Sequence, residues 1–311
     1  MKYTKLLLCL LLCLCLLAGC VAEPVPTDPA PTDPKPTDPT EPAAAEDGVL
    51  KILAIGGSFS IDAMEYLYQI ARDGGVEKIV LGNLYSGGAS IGRHLNYATT
   101  DHPGYSYYKN TAGTWEVTEE YRVSQALEDE NWDVITIQQS SGASGMDYTY
   151  EETLTKMVDY VRGKNSTAKL LWHITWAYQG DYKEGSFTQY DYDQQKMYGM
   201  IIDCVQRFVL TEPRIDGVIP AGTAIQNART SFLGDTLTRD GFHLDYHIGR
   251  YIAGLTWYAA ITGRPVDEIT YNPSPEHISE DMLAAAREAV QNAILAPYAV
   301  TPSARIEGTR P

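Results

Sequence analysis

Short apolar runs and longer stretches of helical period take turns along most of this chain. Residues 50–55, 78–84, 133–137, 168–174 and 217–220 are short, leucine-rich or β-branched, and bounded by turn residues, which predicts strands. Residues 61–72, 151–162, 193–210 and 246–261 carry apolar positions at helical spacing. Such alternation predicts an α/β domain: a three-layer α/β/α sandwich with a mainly parallel sheet of about five strands. Two segments stand outside the alternation. Residues 105–108 and 115–118 flank Asn110-Thr111-Ala112-Gly113-Thr114 and suggest an inserted hairpin. Ser279, followed by Glu280 and Asp281, predicts the capped start of a last helix ending about Leu295.

The first predicted strand runs into Gly56-Gly57-Ser58-Phe59-Ser60 and then into a helical stretch, the place where α/β folds present reactive groups. Far along the chain, Asp240-Gly241-Phe242-His243 sets an Asp and a His three residues apart. A hydroxyl is a poor nucleophile unless an imidazole takes its proton, and that imidazole needs a partner to hold its tautomer. Ser58, His243 and Asp240 are therefore a candidate triad. A competing constellation, His243 and His247 with Asp240 and Asp245 nearby, has a spacing that could share a metal on a helix. The Asp-Gly turn, however, places His243 ahead of the helix, and there is no H-E-x-x-H, so no metal or cofactor is assigned. His173, between Trp172 and Ile174, reads as a hydrogen-bonded core or pocket-wall residue, His94 as a solvated loop residue, and Ser60 and Ser90 as local caps.

Gly56-Gly57-Ser58-Phe59 resembles the first block of the SGNH (GDSL-type) hydrolase superfamily, and Asp240-Gly241-Phe242-His243 resembles its D-x-x-H block. Within that superfamily the chain most resembles the DUF4886 group of bacterial SGNH-like proteins. The words that carry this are Leu53-Ala54-Ile55-Gly56-Gly57-Ser58-Phe59-Ser60, Leu171-Trp172-His173-Ile174-Thr175-Trp176-Ala177-Tyr178, Gly222-Thr223-Ala224-Ile225-Gln226-Asn227-Ala228-Arg229 and Leu237-Thr238-Arg239-Asp240-Gly241-Phe242-His243. The resemblance implies a flavodoxin-like arrangement and a Ser58, Asp240, His243 triad without a metal. For the oxyanion of acyl transfer it implies the Ser58 N–H, Gly87 or Gly88 after the second strand, and an amide after the third main strand. The superfamily usually has Asn at that last place. Here it reads Ile137-Gln138-Gln139-Ser140, which makes Gln139 the first choice and Gln138 the second. Gly57 replaces the Asp or Asn usual before the serine.

The N-terminal residues bear on location. Lys2 and Lys5 precede a leucine-rich core that ends in Leu17-Ala18-Gly19-Cys20, the pattern of a lipoprotein signal with Cys20 as the lipid-bearing residue. After it, Pro-Thr-Asp-Pro recurs every five residues from Pro26 to Pro39, an extended, semi-rigid stalk that cannot bury a core. The expected organisation is thus a signal over 1–19, a lipidated Cys and linker over 20–48, a hydrolase-like domain over 49–299 and a tail over 300–311, on the outer or periplasmic side of a bacterial membrane. With the signal removed, Cys204 is the thiol left beside Cys20, so no intramolecular disulfide is expected. A net charge of −16 without a basic stretch disfavours nucleic acid and anionic lipid headgroups.

Substrate is indicated by the 22 tyrosines, of which Tyr105, Tyr107, Tyr108, Tyr178, Tyr182, Tyr190 and Tyr192 cluster in loop-like stretches. Rings with a polar tip suit sugar faces. An acidic, stalk-borne esterase is expected to remove acetyl or other short acyl groups from carbohydrate. Two further readings use the same residues: a carbohydrate-binding surface lipoprotein that does not turn its ligand over, and an O-acyltransferase.

Overall fold

The computed structural model describes residues 48–311, so the signal, Cys20 and the stalk lie outside the described residues. Five parallel strands follow the sequence pattern: β1 (Leu50–Gly56), β2 (Ile79–Tyr85), β5 (Val134–Ile137), β6 (Lys169–His173) and β7 (Gly217–Ile219). β1, β5 and β6 are buried almost throughout, as expected of strands covered on both faces. The sheet nevertheless has seven strands, in the order β4-β3-β2-β1-β5-β6-β7. The hairpin β3 (Tyr105–Asn110) and β4 (Trp115–Tyr121) is not a separate insertion, because β3 pairs antiparallel with β2 and lengthens the sheet at that edge. Tyr105 and Tyr107 turn into the core, whereas β4 is largely exposed and carries Glu116, Glu119 and Glu120, charges that suit an unpaired edge.

The chain leaves β1 toward β2 and then crosses back over β1 to β5 and onward, so β1 is the topological switch point of the parallel part. Right-handed crossovers then put the early and late connections on opposite faces. On one face, α1 (Ser58–Met64), α2 (Leu67–Asp73), α7 (Ala221–Arg229) and α9 (Glu280–Leu295) gather round α8 (Ile248–Thr262). On the other, α3 (Ile91–Thr99) and α4 (Val123–Asp129) pack with α5 (Glu151–Lys164). The expected helix over 61–72 is two helices broken at Glu65-Tyr66, and α6 (Gln194–Cys204) continues as a π-helical turn, Val205–Val209. Ser279 caps α9 by accepting from the Met282 N–H at 3.3 Å. Residues 300–311 run back over the domain: the Thr301 N–H donates to Asn227 (2.8 Å), and the Phe232 N–H donates to the Arg305 carbonyl (2.9 Å).

Two histidines are sealed into this core. His94 lies on α3, with Nδ1 2.7 Å from the Tyr105 hydroxyl, rather than in a solvated loop. His173 ends β6, and its Nδ1 lies 3.0 Å from the Gln138 side-chain oxygen. Burial pushes the His173 imidazole down to about 3, and burial together with the Arg93 charge does the same for His94. The unfolded chain therefore takes up protons below pH ~6.5 that the fold refuses, and stability present above that value drains away as pH falls toward 3. Each histidine should contribute a slope of about 1.4 kcal/mol per pH unit in that window. Urea unfolding at pH 7, 6 and 5 should show stability falling, with a shallower fall in His94→Gln; a flat profile in both proteins would contradict this burial.

Candidate active site

The turn that carries the candidate nucleophile is shaped by close backbone approach. At the end of β1, a Cβ on Gly56 would lie 2.6 Å from the Ser60 Oγ and 3.0 Å from the Gln138 Oε1, so no side chain fits. A Cβ on Gly57 would lie 3.2 Å from the Ser86 carbonyl and 3.7 Å from the Gly88 nitrogen. A side chain there would fit only if the Ser86 carbonyl moved by a few tenths of an ångström. The Ser86 N–H closes the contact by donating to the Gly56 carbonyl at 3.0 Å. Ser58 then opens α1, and the Ser60 hydroxyl sits 2.8 Å from the Gly57 carbonyl and 2.9 Å from Asn83 Oδ1, holding the turn to β2.

The Asp-His block forms the tip of a narrow loop. Thr238 and Leu244 form an antiparallel bridge, the Arg239 N–H donates to the His243 carbonyl (2.9 Å) and the Asp245 N–H to the Leu237 carbonyl (2.9 Å). At the tip, Gly241 has φ +92°, a conformation other residues adopt only with strain, and the Tyr182 ring lies 2.4 Å from where its Cβ would be. Asp240 Oδ2 meets His243 Nδ1 at 2.6 Å, while Oδ1 accepts from the His243 N–H (2.8 Å) and the Phe242 N–H (3.3 Å). Burial works to raise the Asp240 carboxyl; the His243 ring and these two N–H groups outweigh it and hold the carboxyl below its ordinary range. With Nδ1–H committed to Asp240, the His243 Nε2 is the nitrogen left to accept a proton.

Aromatic rings join the two segments. Phe59, the residue after Ser58, stacks on Trp176 at 3.9 Å between centroids, with planes 7° apart. The Trp176 indole N–H donates to the Phe242 carbonyl at 2.7 Å, and the Phe59 ring meets the His243 ring edge to face at 6.2 Å. The stack alone is worth about 0.5–1.5 kcal/mol beyond the area it buries. Trp176, from the loop after β6, thus ties the neighbour of the candidate nucleophile to the neighbour of the candidate base.

The two glutamines after β5 have different surroundings. Gln139 Oε1 accepts from the Ile91 N–H (3.0 Å) and the Ser140 N–H (2.9 Å), and its Nε2 donates to Thr149 Oγ1 (3.1 Å). That amide braces three loops. Gln138 borders the candidate nucleophile turn at Gly56; its Oε1 accepts from His173 Nδ1–H and its Nε2 donates to the Gln139 carbonyl at 3.4 Å. Gly87 gives its carbonyl to the Arg93 guanidinium at 3.1 Å, whereas Gly88, at φ +62°, has its nitrogen beside the nucleophile turn. His247 stacks flat on His277 at 4.3 Å, and among the described residues no group of three or more His, Cys, Asp or Glu side chains could hold a metal. Cys204 is buried and its thiol is pushed up to about 12 by burial, then by Asp203 and Asp147.

Beside Asp240 lies an open groove of about 500 Å³, lined by Gln179, Asp181, Tyr182, Lys183, Glu184, Thr238, Arg239, Asp240 and Gly241. Of the tyrosines singled out in the sequence, Tyr182 alone lines it. Tyr105 and Tyr107 are core residues of β3, and Tyr190 is buried, its hydroxyl donating to the Gly142 carbonyl at 2.9 Å and accepting from the Gly145 N–H at 3.0 Å.

The model of the family described as Domain of unknown function (DUF4886) matches residues 51–293. The chain belongs to the DUF4886 family. A solved DUF4886 family protein from Bacteroides uniformis ATCC 8492 is similar over 82% of this chain and 98% of its own, at 41% identity and a TM-score of 0.78. A candidate SGNH hydrolase from Slackia heliotrinireducens (16% identity, 68% of this chain and 99% of its own, TM-score 0.45) and the family 3 carbohydrate esterase of Clostridium thermocellum (13%, 68% and 94%, 0.41) are more distant. No curated protein matches.

In this DUF4886 chain, Trp176 and Asp62 were not singled out by sequence reasoning, although Trp176 stands in one of the quoted words. A Trp in an apolar word reads as core, and its bond to the Phe242 carbonyl becomes visible only in three dimensions. Residues 222–229 lie on buried α7, where Asn227 Nδ2 donates to the Ala289 carbonyl at 3.1 Å. The loop geometry makes one substitution diagnostic. Gly241→Ala should lower unfolding free energy by about 1–3 kcal/mol, from the left-handed backbone and the Tyr182 overlap together. Thermal or urea unfolding measures this, and an unchanged midpoint would contradict the described tip.

Proposed function

We propose that this DUF4886 protein is a serine ester hydrolase of the SGNH type. The observation that supports it most is the 2.6 Å contact between Asp240 and His243, on a loop whose Phe242 is held through Trp176 to the residue after Ser58. In the proposed reaction, Ser58 Oγ attacks the ester carbonyl while His243 Nε2 takes its proton. The tetrahedral intermediate collapses as that proton passes to the leaving alkoxide, which departs as an alcohol. Water, deprotonated by the same nitrogen, then attacks the acyl-serine, and the carboxylic acid leaves with Ser58 restored. Asp240 holds Nδ1–H and offsets the positive charge that develops on the ring. The oxyanion would receive the Ser58 and Gly88 N–H groups and the amide of Gln139 or Gln138, whose Nε2 groups each make one hydrogen bond and keep a second N–H.

The substrate we infer is an acetylated or otherwise short-acylated carbohydrate. The groove beside Asp240 is open and mostly polar, with the Tyr182 ring in its wall, features that suit a sugar with alternating apolar faces and hydroxyls. We also infer attachment to the outer or periplasmic side of a bacterial membrane through lipid on Cys20, supported by the Leu17-Ala18-Gly19-Cys20 pattern and the Pro-Thr-Asp stalk.

Hydrolysis of p-nitrophenyl acetate by the full chain, with a chelator present, tests the chemistry. Ser58→Ala and His243→Ala should each lower kcat by about 10³-fold or more, and the double variant should lose no more than either alone, since such residues act as a unit. Losses that multiply would sink the triad. Equal inactivity of wild type and variants toward this ester and toward acetylated oligosaccharides would instead favour a binding protein. Tyr182→Ala should raise KM for an acetylated oligosaccharide several-fold and leave the small ester unaffected; equal effects on both would contradict a sugar-facing ring.

A further inference from the structure

Asp62 is fully buried on α1, four residues and about one turn after Ser58. A carboxylate taken out of water is costly unless charge and hydrogen bonds replace the water. Two of its three partner residues, Arg239 and Leu244, lie on the base loop, and the third, Arg250, on α8. Oδ2 accepts from the Leu244 N–H at 2.9 Å, and Oδ1 from Arg239 Nη1 at 3.1 Å and from Arg250 Nε at 2.9 Å, with Arg250 Nη2 in ion-pair contact at 2.8 Å. Arg239 immediately precedes Asp240 and Leu244 immediately follows His243. Asp62 therefore grips both sides of the four-residue block that carries the candidate base, and the Arg239 guanidinium closes the neck by donating to the Leu244 carbonyl.

The surroundings keep this grip in place. The Tyr246 ring lies 4.7 Å from the Arg239 guanidinium carbon and 4.8 Å from that of Arg250, covering both cations, and the Tyr66 hydroxyl donates to the Tyr246 carbonyl. Glu65 adds a peripheral ion pair to Arg250 at 3.2 Å. Stability alone would be served by pairing Asp62 with any nearby cation. What the observed pairing adds is a fixed relation between the helix that begins with Ser58 and the loop that ends with His243.

We propose that Asp62 is a positioning residue, acting through Arg239 and the Leu244 N–H to hold the Asp240–His243 pair in line with Ser58. The inference rests on the esterase reading for its consequence and on the geometry alone for the placement of the pair, so it has two separate readouts. Displacement of reacting groups by about 1 Å can cost 10²-fold in rate. Asp62→Asn, which keeps the shape but sets an amide N–H against either the guanidinium groups or the Leu244 N–H, should lower kcat about 10²-fold with KM changed less than about threefold. It should also remove or shift the low-field proton resonance of the His243 Nδ1–H, assigned in the full chain by its loss in His243→Ala. Glu65→Gln, which loosens Arg250 without touching the loop, should leave both readouts as in wild type. If Asp62→Asn melts earlier but keeps wild-type kcat and the resonance, Asp62 is merely structural and the proposal is overturned. If the wild type hydrolyses nothing, the resonance decides: its loss in Asp62→Asn supports positioning while the esterase reading fails, and its persistence overturns positioning. Should Asp62→Asn not fold, Arg239→Gln takes its place, with the same losses expected and wild-type values overturning the proposal.

Discussion

A buried carboxylate joining two distant segments is the constraint on which the site depends. Ser58 and His243 are 185 positions apart, on opposite sides of most of the fold's strands in sequence. The sheet brings their neighbourhoods to the C-terminal edge of β1, but a sheet fixes strands, not loops. Asp62 supplies the missing restraint, with Arg239, Arg250 and Leu244 converging on it. Because a buried charge tolerates little loss of its partners, the loop has few alternative positions.

Two other restraints act in the same direction. The Phe59–Trp176 stack and the indole bond to the Phe242 carbonyl tie the opposite side of the loop to the nucleophile turn. Below the turn, Gly56 leaves room for the Ser60 side chain, which a Cβ there would overlap, and Gly57 lets the Ser86 carbonyl approach closely. The site is therefore assembled from the ends of β1, β2, β5 and β6 and one late loop, with each piece held by a different kind of contact: close backbone packing, aromatic stacking, and a desolvated ion cluster.

Much of the fold was legible because buried parallel strands leave continuous apolar runs, and all five were visible as such. α7 was not, since it is a nine-residue helix that buries its polar Thr223, Gln226, Asn227 and Arg229 as well as its apolar residues. The pairing of β3 with β2 was equally hidden, because a hairpin's sequence specifies its own turn and not the sheet edge it joins. Of the site, the Asp240–His243 spacing was readable, as a local contact must be. Asp62 was not, because an acidic residue on a helix ordinarily reads as solvent-facing and only distant partners reveal its burial. The tyrosine cluster was not legible as a unit, because burial separates it: Tyr105, Tyr107, Tyr178 and Tyr190 are core residues, Tyr108 is half-buried, Tyr192 is exposed, and Tyr182 lies beside Asp240.

The central claim is that Ser58 is a nucleophile activated by His243. Treatment of the full chain with a fluorophosphonate that phosphonylates activated serines, followed by peptide mass mapping, addresses it without knowledge of the natural ester. One stoichiometric adduct is expected on the peptide containing Ser58, lost in Ser58→Ala and strongly slowed in His243→Ala. A folded protein that stays unlabelled, or one labelled as fast without His243, would contradict it.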